Sequence, residues 1–185
     1  MKKKLREDAL ARRNLISKEE REKKSLCIAE HILQSDVFRN AEKIFIFVSM
    51  GSEVETEKII QQAWKEGKIV AVPKTEKRRS MSFLPITSFE DLQEGRFHVL
   101  EPQGTMADAL IPGKGDLFLV PGALFDRKKN RIGYGGGYYD AYFEKYQGYR
   151  KIGLAFSEQI SEVPIPAEEY DIPVDDIVTE NGWEE

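Results

Sequence analysis

The sequence predicts an α/β protein with an open, mainly parallel, doubly wound sheet and helices on both faces. Short runs of apolar, β-branched and aromatic residues, each suited to a strand buried on both faces, alternate with segments of helical periodicity. The chain has 185 residues, of which 41% are hydrophobic and 32% charged, as is usual for one globular domain. We therefore expect a single domain over residues 1–185.

Two helices are predicted within residues 1–35. Residues 2–16 place Lys2, Arg6 and Arg13 within about 40° of one another, beside an apolar stripe. That stripe comprises Leu5, Ala9, Arg12 and Ile16.

Ser17 marks the start of the second helix, since Glu20 three residues later completes the pattern of a capping box. This helix should end near Gln34. Its predicted inner face comprises Leu26, Ala29 and Leu33.

The remaining chain alternates between predicted strands and helices. Pro85 favours an edge position for one strand, because proline cannot donate to a neighbouring strand. A mixed stretch of turns is expected at 88–115. Buried strands are predicted at 43–50, 69–73, 116–120 and 151–156, an edge strand at 81–86, a short extended segment near 177–179, and helices at 56–66 and 138–146.

Charge is distributed unevenly along the chain, whose net charge is −4. Residues 1–24 contain ten basic and five acidic residues, whereas residues 158–185 contain ten acidic residues and no Lys or Arg. The acidic total and the lack of aromatics among the basic residues disfavour nucleic acid. No apolar run approaches the roughly 20 residues of a membrane span, and the basic start lacks the apolar stretch of a secretory signal. With one cysteine, Cys27, we expect a cytoplasmic protein without an internal disulfide, as a monomer or weak homo-oligomer.

The segment 121–140, PGALFDRKKNRIGYGGGYYD, is the strongest functional signal. Four glycines within 133–137 directly precede a predicted helix, so backbone amides and the positive end of the helix dipole favour an anion such as a polyphosphate. Arg131 can neutralise phosphate charge, and Asp140 in the first helical turn can hold Mg²⁺. The alternative is a flexible surface loop with an acidic residue that stabilises the helix dipole. The segment lacks the Gly-Lys-Ser/Thr of a P-loop.

The run Arg131-Ile132-Gly133-Tyr134-Gly135-Gly136-Gly137-Tyr138-Tyr139-Asp140 resembles the hallmark of the 5-formyltetrahydrofolate cyclo-ligase family. The basic first helix is similar to that family's second contact with ATP phosphates. Residues 49–56 resemble its folate-binding loop, and Val174-Asp175 resembles the place of a second magnesium-linked aspartate.

The resemblance implies an ATP site, a folate site and a magnesium site. It implies Arg131, Tyr138 and Asp140 as catalytic residues and Asp140 with Asp175 as metal ligands. The ATP-binding residues would be Lys2, Lys3, Lys4, Leu5, Arg6, Arg131, Ile132, Gly133, Tyr134, Gly135, Gly136, Gly137, Tyr138 and Tyr139. The folate-binding residues would be Met50, Glu55, Tyr134, Gly135, Gly136, Gly137 and Tyr138.

Several of these residues have a structural alternative. Glu55 is either a folate ligand or an acid before the helix that Thr56 caps, and Met50 is either a ligand or core. Phe97 is either a stacking partner of the pterin or packing. Asp126 can serve its turn alone. Cys27 is expected in the helix core, and the two histidines, His31 and His98, lack metal-ligand spacing.

The implied reaction is the ATP-dependent cyclisation of 5-formyltetrahydrofolate to 5,10-methenyltetrahydrofolate, with release of ADP and phosphate. The expected partners are therefore reduced folate and ATP, with neither nucleic acid nor membrane. Two alternatives remain open at this point, because a doubly wound sheet with a phosphate loop does not fix the reaction. These are a sugar-phosphate isomerase or acyl-transfer enzyme, and a non-catalytic nucleotide-binding protein.

Overall fold

A computed structural model describes residues 1–76, 79–95 and 98–185. Helices and strands alternate along these residues. The helices are α1 (Lys2–Leu15), α2 (Lys18–Leu33), α3 (Asp36–Asn40), α4 (Glu57–Lys65) and α5 (Tyr138–Lys145). The strands are β1 (Lys43–Ile46), β2 (Ile69–Thr75), β3 (Met81–Ile86), β4 (Leu92–Glu94), β5 (Leu100–Pro102), β6 (Leu117–Val120), β7 (Leu124–Asp126), β8 (Arg131–Ile132), β9 (Arg150–Leu154), β10 (Ile160–Ser161), β11 (Asp176–Thr179) and β12 (Gly182–Trp183).

The central sheet has the strand order β12-β11-β9-β6-β1-β2-β3. Its five inner strands run parallel, and the strand at each edge pairs antiparallel with its neighbour. The predicted mainly parallel sheet is confirmed, as is the edge position of the strand that contains Pro85. From β1 the chain leads to β2 on one side, whereas β6 lies on the other side. The order therefore reverses between β1 and β6, where sheets of this kind form a ligand crevice.

Helices cover both faces of the sheet, as predicted. On one face α2, α3 and α4 contribute Ile28, Phe38 and Ile59 to a core shared with β1, β2, β6 and β9. On the other face α5 packs its Tyr142 and Phe143 against an aromatic layer from β1, β3 and β6. This second packing fixes the helix that follows the glycine-rich loop.

The inner faces of the first two helices differ from the predicted ones. In α2 the buried residues are Ser25, Ile28, Ala29 and Ile32, while Leu26 is 46% exposed. Cys27 is also exposed, so its predicted place in the core is wrong. The buried stripe recurs every three to four residues, and positions 26 and 27 lie beside it. In α1 the buried arginine is Arg13 rather than Arg12, because the Arg13 guanidinium donates to the hydroxyls of Ser52 and Tyr134 in two loops that α1 contacts.

Ser17 caps α2, since its hydroxyl accepts the Glu20 N–H at 3.2 Å. The other half of the predicted capping box is replaced by an ion pair, because the Glu20 carboxylate lies 3.8 Å from Lys24.

Short elements within predicted loops were not foreseen. A hairpin of β7 and β8 lies within 121–137, and β10 joins it as a third strand. The buried Asp126 holds its turn by accepting the N–H groups of Lys128 and Asn130. The β4–β5 hairpin, α3 and β12 are further additions. In the part of the chain that the structure describes, no helix has the length and apolar character that crossing a membrane requires.

Candidate functional site

A cavity of about 530 Å³ opens at the carboxyl ends of β1, β2 and β6. The strand ends supply Phe47 and Val48 after β1, Pro73 and Thr75 from β2, and Pro121 after β6. This is the switch point of the sheet, where ligands of doubly wound proteins bind.

The glycine-rich loop forms one side of the cavity and leads into the first turn of α5. Gly135 and Gly137 have φ of +98° and +68°, which L-residues rarely adopt, so glycine suits both positions. A side chain on Gly135 would also lie 3.3 Å from the Arg6 guanidinium. The first amides of α5 have no partner within the helix. The loop therefore presents backbone donors and a helix dipole to the cavity, as an anion requires.

Helix α1 brings two basic residues to the same side. Arg6 Nε donates to the Gly133 carbonyl at 2.7 Å, which joins the helix to the loop. Lys2 donates to the Asp171 carboxylate and lies 3.4 Å from Glu168. The predicted spacing of Lys2 and Arg6 on one stripe is confirmed, since both line the cavity.

Arg131 and Asp140 form an ion pair at the start of α5. Arg131 Nη2 donates to an Asp140 oxygen at 3.2 Å, and the Arg131 side chain is 3% exposed. Its guanidinium also lies 5.4 Å from the centre of the Tyr139 ring. The other Asp140 oxygen accepts the Ile172 N–H at 3.2 Å. Arg131 Nε is buried without a hydrogen-bond partner in the described chain.

Apolar side chains of Phe47, Val48 and Met50 also line the cavity, and the Glu53 carboxylate lines it with them. Tyr134 donates its hydroxyl to one Glu53 oxygen, and the Met50 N–H donates to the other at 2.9 Å. Arg13 Nη1 in turn donates to the Tyr134 hydroxyl at 2.8 Å. Burial raises the pKa of Glu53, although the hydrogen bond from Tyr134, that from Met50 and the charge of Arg13 oppose the rise. Burial also raises the pKa of Tyr134, so its hydroxyl keeps its proton and acts as a donor.

The structure brings most of the predicted site residues together. The following line the cavity: Lys2, Arg6, Met50, Arg131, Ile132, Gly133, Tyr134, Gly135, Gly136, Gly137, Tyr138, Tyr139 and Asp140. Met50 is 45% exposed, so it is not a core residue. Ligand binding by these residues stays a prediction. Lys3 and Lys4 point to solvent, and Leu5 packs against the apolar cluster of Ala9 and its neighbours, so these three lie outside the cavity.

Glu55 does not line the cavity. Its side chain is exposed, and its N–H donates to the Ser25 hydroxyl of α2 at 3.0 Å. Thr56 directs its hydroxyl to the Phe47 carbonyl at 2.8 Å and thereby ties the loop to the end of β1. The turn from Met50 to Glu53 directs the Glu53 carboxylate into the cavity instead. The predicted folate contact of Glu55 is therefore not supported.

Asp175 lies at the amino ends of the strands, whereas Asp140 lines the cavity at their carboxyl ends. It directly precedes β11, where its carboxylate accepts the Lys151 N–H at 2.6 Å, near the start of β9. It lines a separate cavity with Asp36 and Asp116 at the amino ends of the strands. Because the inner strands are parallel, their amino ends and carboxyl ends lie on opposite sides of the protein. The predicted binding of one metal ion by both Asp140 and Asp175 is therefore not supported.

The Asp140 carboxylate, beside the glycine-rich loop, still suits a magnesium ion. Mg²⁺ commonly binds to one or two carboxylates together with phosphate oxygens and waters, and Asp140 offers such a carboxylate at the start of α5. Among residues 1–76, 79–95 and 98–185, no three His, Cys, Asp or Glu side chains are grouped to hold a metal ion. The donors therefore fit a magnesium ion that arrives with a polyphosphate, not a site built from protein ligands alone.

Glu53, Arg13 and Asp171 are site residues that the sequence-based prediction omitted. Arg13 could have been found, since it shares the predicted stripe with Lys2 and Arg6. Glu53 lies within the loop that follows β1, but the inward turn has no clear sequence signal. Asp171 is 169 positions from the lysine that it contacts. Phe97 lies outside the described residues.

Comparison with known proteins gives one consistent result. The model of the 5-formyltetrahydrofolate cyclo-ligase family matches residues 1–180. The 5-formyltetrahydrofolate cyclo-ligase of Mus musculus is 35% identical over 189 residues, which cover 96% of this chain and 93% of the mouse protein. The protein of the same name from Escherichia coli K12 is 32% identical over 149 residues, 78% of this chain and 81% of that protein. An NMR structure of 5,10-methenyltetrahydrofolate synthetase from Aquifex aeolicus superposes with a TM-score of 0.85 at 30% identity, and covers 99% of this chain and 91% of its own.

Proposed function

The chain belongs to the 5-formyltetrahydrofolate cyclo-ligase family, and from that premise we propose that it uses ATP to close 5-formyltetrahydrofolate to 5,10-methenyltetrahydrofolate. The observation that supports this most is that one cavity combines two unlike sets of lining residues. The glycine-rich loop, the start of α5, Arg6 and Arg131 suit a polyphosphate. The apolar side chains beside Glu53 suit a flat heterocycle that bears N–H donors.

The chemistry explains why ATP is required. The formyl group on N5 is an amide, so its carbon is a poor electrophile and its oxygen a poor leaving group. The formyl oxygen attacks the γ-phosphorus, and the bond to the bridging oxygen of ADP breaks. N10 then attacks the activated carbon and loses its proton, and the C–O bond breaks as phosphate departs. This sequence requires no covalent nucleophile from the protein.

The protein contributes position and charge to this reaction. Lys2, Arg6 and Arg131 hold the phosphates together with the amides of 133–139, and Tyr138 at the start of α5 borders both substrates. Asp140 would hold Mg²⁺ beside the phosphates, where the ion would neutralise part of their charge.

The test is to mix the protein with 5-formyltetrahydrofolate, ATP and Mg²⁺ and to follow the absorbance of the methenyl product. Absorbance should rise with release of one ADP and one phosphate per product, and omission of ATP should abolish the rise. Equal folate turnover without ATP, or ATP binding without product, would reject the proposal. These two results also identify the alternative classes, an ATP-independent enzyme and a non-catalytic nucleotide-binding protein.

A further inference from the structure

Arg13 is a buried arginine near the end of α1 that bonds to three loops. The residue is 6% exposed. Its Nε donates to the Ser52 hydroxyl at 3.0 Å, and its Nη1 donates to the Tyr134 hydroxyl at 2.8 Å. The same Nη1 lies 3.5 Å from the Gly122 carbonyl, directly after β6. A buried charge is costly unless it is paired or hydrogen-bonded, so these bonds keep the guanidinium between the three loops.

Helix α1 holds the glycine-rich loop at two points. Arg6 Nε donates to the Gly133 carbonyl at 2.7 Å, and Arg13 Nη1 bonds to the hydroxyl of the next residue, Tyr134. The Arg13 guanidinium also lies 5.6 Å from the centre of the Tyr134 ring. The two arginines are seven residues apart on one helix, which corresponds to about 10 Å along its axis. The loop is therefore fixed to a long stretch of α1.

The end of α1 also holds the loop after β1. The Ser52 hydroxyl accepts the Arg13 Nε–H and donates to the side-chain oxygen of Asn14. Ser52 lies between Met50 and Glu53, which both line the cavity. Neither Arg13 nor Ser52 lines the cavity, so both act on it through these loops. Arg13 thus joins two loops that line one cavity, without lining it itself.

Resting on the proposed function, we infer that Arg13 is a positioning residue that couples the binding of ATP to the binding of the folate. A polyphosphate held by Lys2, Arg6 and the glycine-rich loop fixes α1, and Arg13 thereby restricts the loop after β1. A loop that is already ordered loses less conformational freedom when its ligand binds. Each substrate should therefore bind more tightly in the presence of the other, by the same factor in both directions.

Arg12 provides a matched control. It is the neighbouring arginine in the last turn of α1, but it is exposed and lies outside the cavity. Arg12→Met and Arg13→Met remove the same charge from the same helix end, and Arg and Met have similar helix propensities. A difference between the two variants therefore reports the bonds of Arg13 to the loops.

The experiment measures the Kd for 5-formyltetrahydrofolate by calorimetric titration, at a temperature where melting curves show each variant to be folded. Each protein is titrated alone and then with Mg²⁺ and a saturating ATP analogue whose γ-phosphoryl group cannot be transferred. In the wild type and in Arg12→Met, the analogue should lower the Kd for the folate by about tenfold. In Arg13→Met it should lower that Kd by less than about threefold. The Kd for the analogue alone should change by less than about threefold in Arg13→Met, since Lys2, Arg6 and Arg131 are retained.

A purely structural role of Arg13 predicts a different result. It would weaken the binding of each substrate alone and would leave the factor between them at the wild-type value. An unchanged factor in Arg13→Met would therefore overturn the inference, whatever the loss in melting temperature.

The remaining outcomes are also decisive. A wild type that forms no product refutes the proposed function itself. An active wild type whose folate affinity does not depend on the ATP analogue overturns the inference alone. If Arg13→Met does not fold, Ser52→Ala decides, because it removes the hydroxyl that joins α1 to the loop after β1 and leaves the lining of the cavity intact. A factor in Ser52→Ala equal to that of the wild type would overturn the inference.

Discussion

Replacing Gly135 by alanine tests whether the glycine-rich loop and α1 form one phosphate site. Gly135 has φ of +98°, so a Cβ there costs about 1–2 kcal/mol of backbone strain. Gly148 has φ of +91°, a Cβ added to it would meet no other atom within 4 Å, and it lies outside the cavity of the phosphate loop. Gly148→Ala therefore reproduces the backbone strain of Gly135→Ala without the contact between the added Cβ and Arg6.

The second effect of Gly135→Ala is the displacement of Arg6. A Cβ on Gly135 would lie 3.3 Å from both Cζ and Nη1 of Arg6, closer than ordinary van der Waals contact, so the guanidinium must give by a few tenths of an ångström. The shift weakens the bond from Arg6 to the Gly133 carbonyl and moves its charge relative to the phosphates. A hydrogen bond to a charged group contributes about 1.5–3 kcal/mol, which corresponds to roughly a tenfold to hundredfold change in affinity.

Both variants should lower the melting temperature by about 2–8 °C, since 1 kcal/mol shifts a protein of this size by roughly 2–4 °C. Gly135→Ala alone should raise the KM for ATP, by about tenfold to a hundredfold. The measurements are calorimetric melting and initial rates of methenyl formation against ATP concentration. The reasoning fails if the KM values for ATP of the two variants agree within about twofold, because Arg6 then does not act through its position on the loop.

Three further predictions concern charge. Asp140→Asn should reduce turnover by orders of magnitude and raise the Mg²⁺ requirement, whereas Asp175→Asn, at the amino ends of the strands, should change neither. The measurements are the melting temperature and a magnesium titration of the activity of each variant. A near-wild-type rate of Asp140→Asn at limiting Mg²⁺ would contradict the metal assignment. Because Asp140 also holds the buried Arg131, its replacement should cost about 1.5–3 kcal/mol of stability as well. Arg6→Ala and Arg131→Ala should each raise the KM for ATP, and strictly additive losses in the double variant would argue against a shared phosphate site. Burial raises the pKa of Glu53 above its ordinary 4.5, so between that value and the raised one the folded protein binds a proton that the unfolded chain has lost. The free energy of unfolding of wild type relative to Glu53→Gln should therefore fall as pH rises above 4.5, and a pH-independent difference would contradict the raised pKa.

Strands β1, β2, β6 and β9 could be predicted from local sequence because each contains an apolar run, and α1, α2, α4 and α5 could be predicted from helical periodicity, although the buried faces of α1 and α2 differ from the predicted ones. The place of the glycine-rich loop directly before α5 could be predicted for the same reason, since it depends on residues adjacent in sequence; phosphate binding by this loop stays a prediction. The choice between Glu53 and Glu55 could not be made locally, because a turn that begins at Met50 and a bond to Ser25 of another helix decide which carboxylate faces inward.

Asp175 shows a second limit of local reasoning. An aspartate before a short extended segment can lie at either the amino or the carboxyl ends of the neighbouring strands. The parallel pairing of β11 with β9 places Asp175 at the amino ends. Likewise, Cys27 and Leu26 are suitable core residues by composition. Their exposure follows from the angle at which α2 packs on the sheet, which depends on contacts with α4 and β11.

The contact between Lys2 and Asp171 bears on how the protein is made. The carboxylate that holds Lys2 of α1 is synthesised 169 residues after that lysine. The glycine-rich loop, which Arg6 must contact, also follows more than a hundred residues after that arginine. A growing chain can thus form β1, α4 and β2 before Asp171 is synthesised, whereas the contacts of Lys2 and Arg6 in the cavity form only afterwards. If these residues bind ATP as proposed, nascent chains should gain affinity for ATP only after Asp171 has left the ribosome.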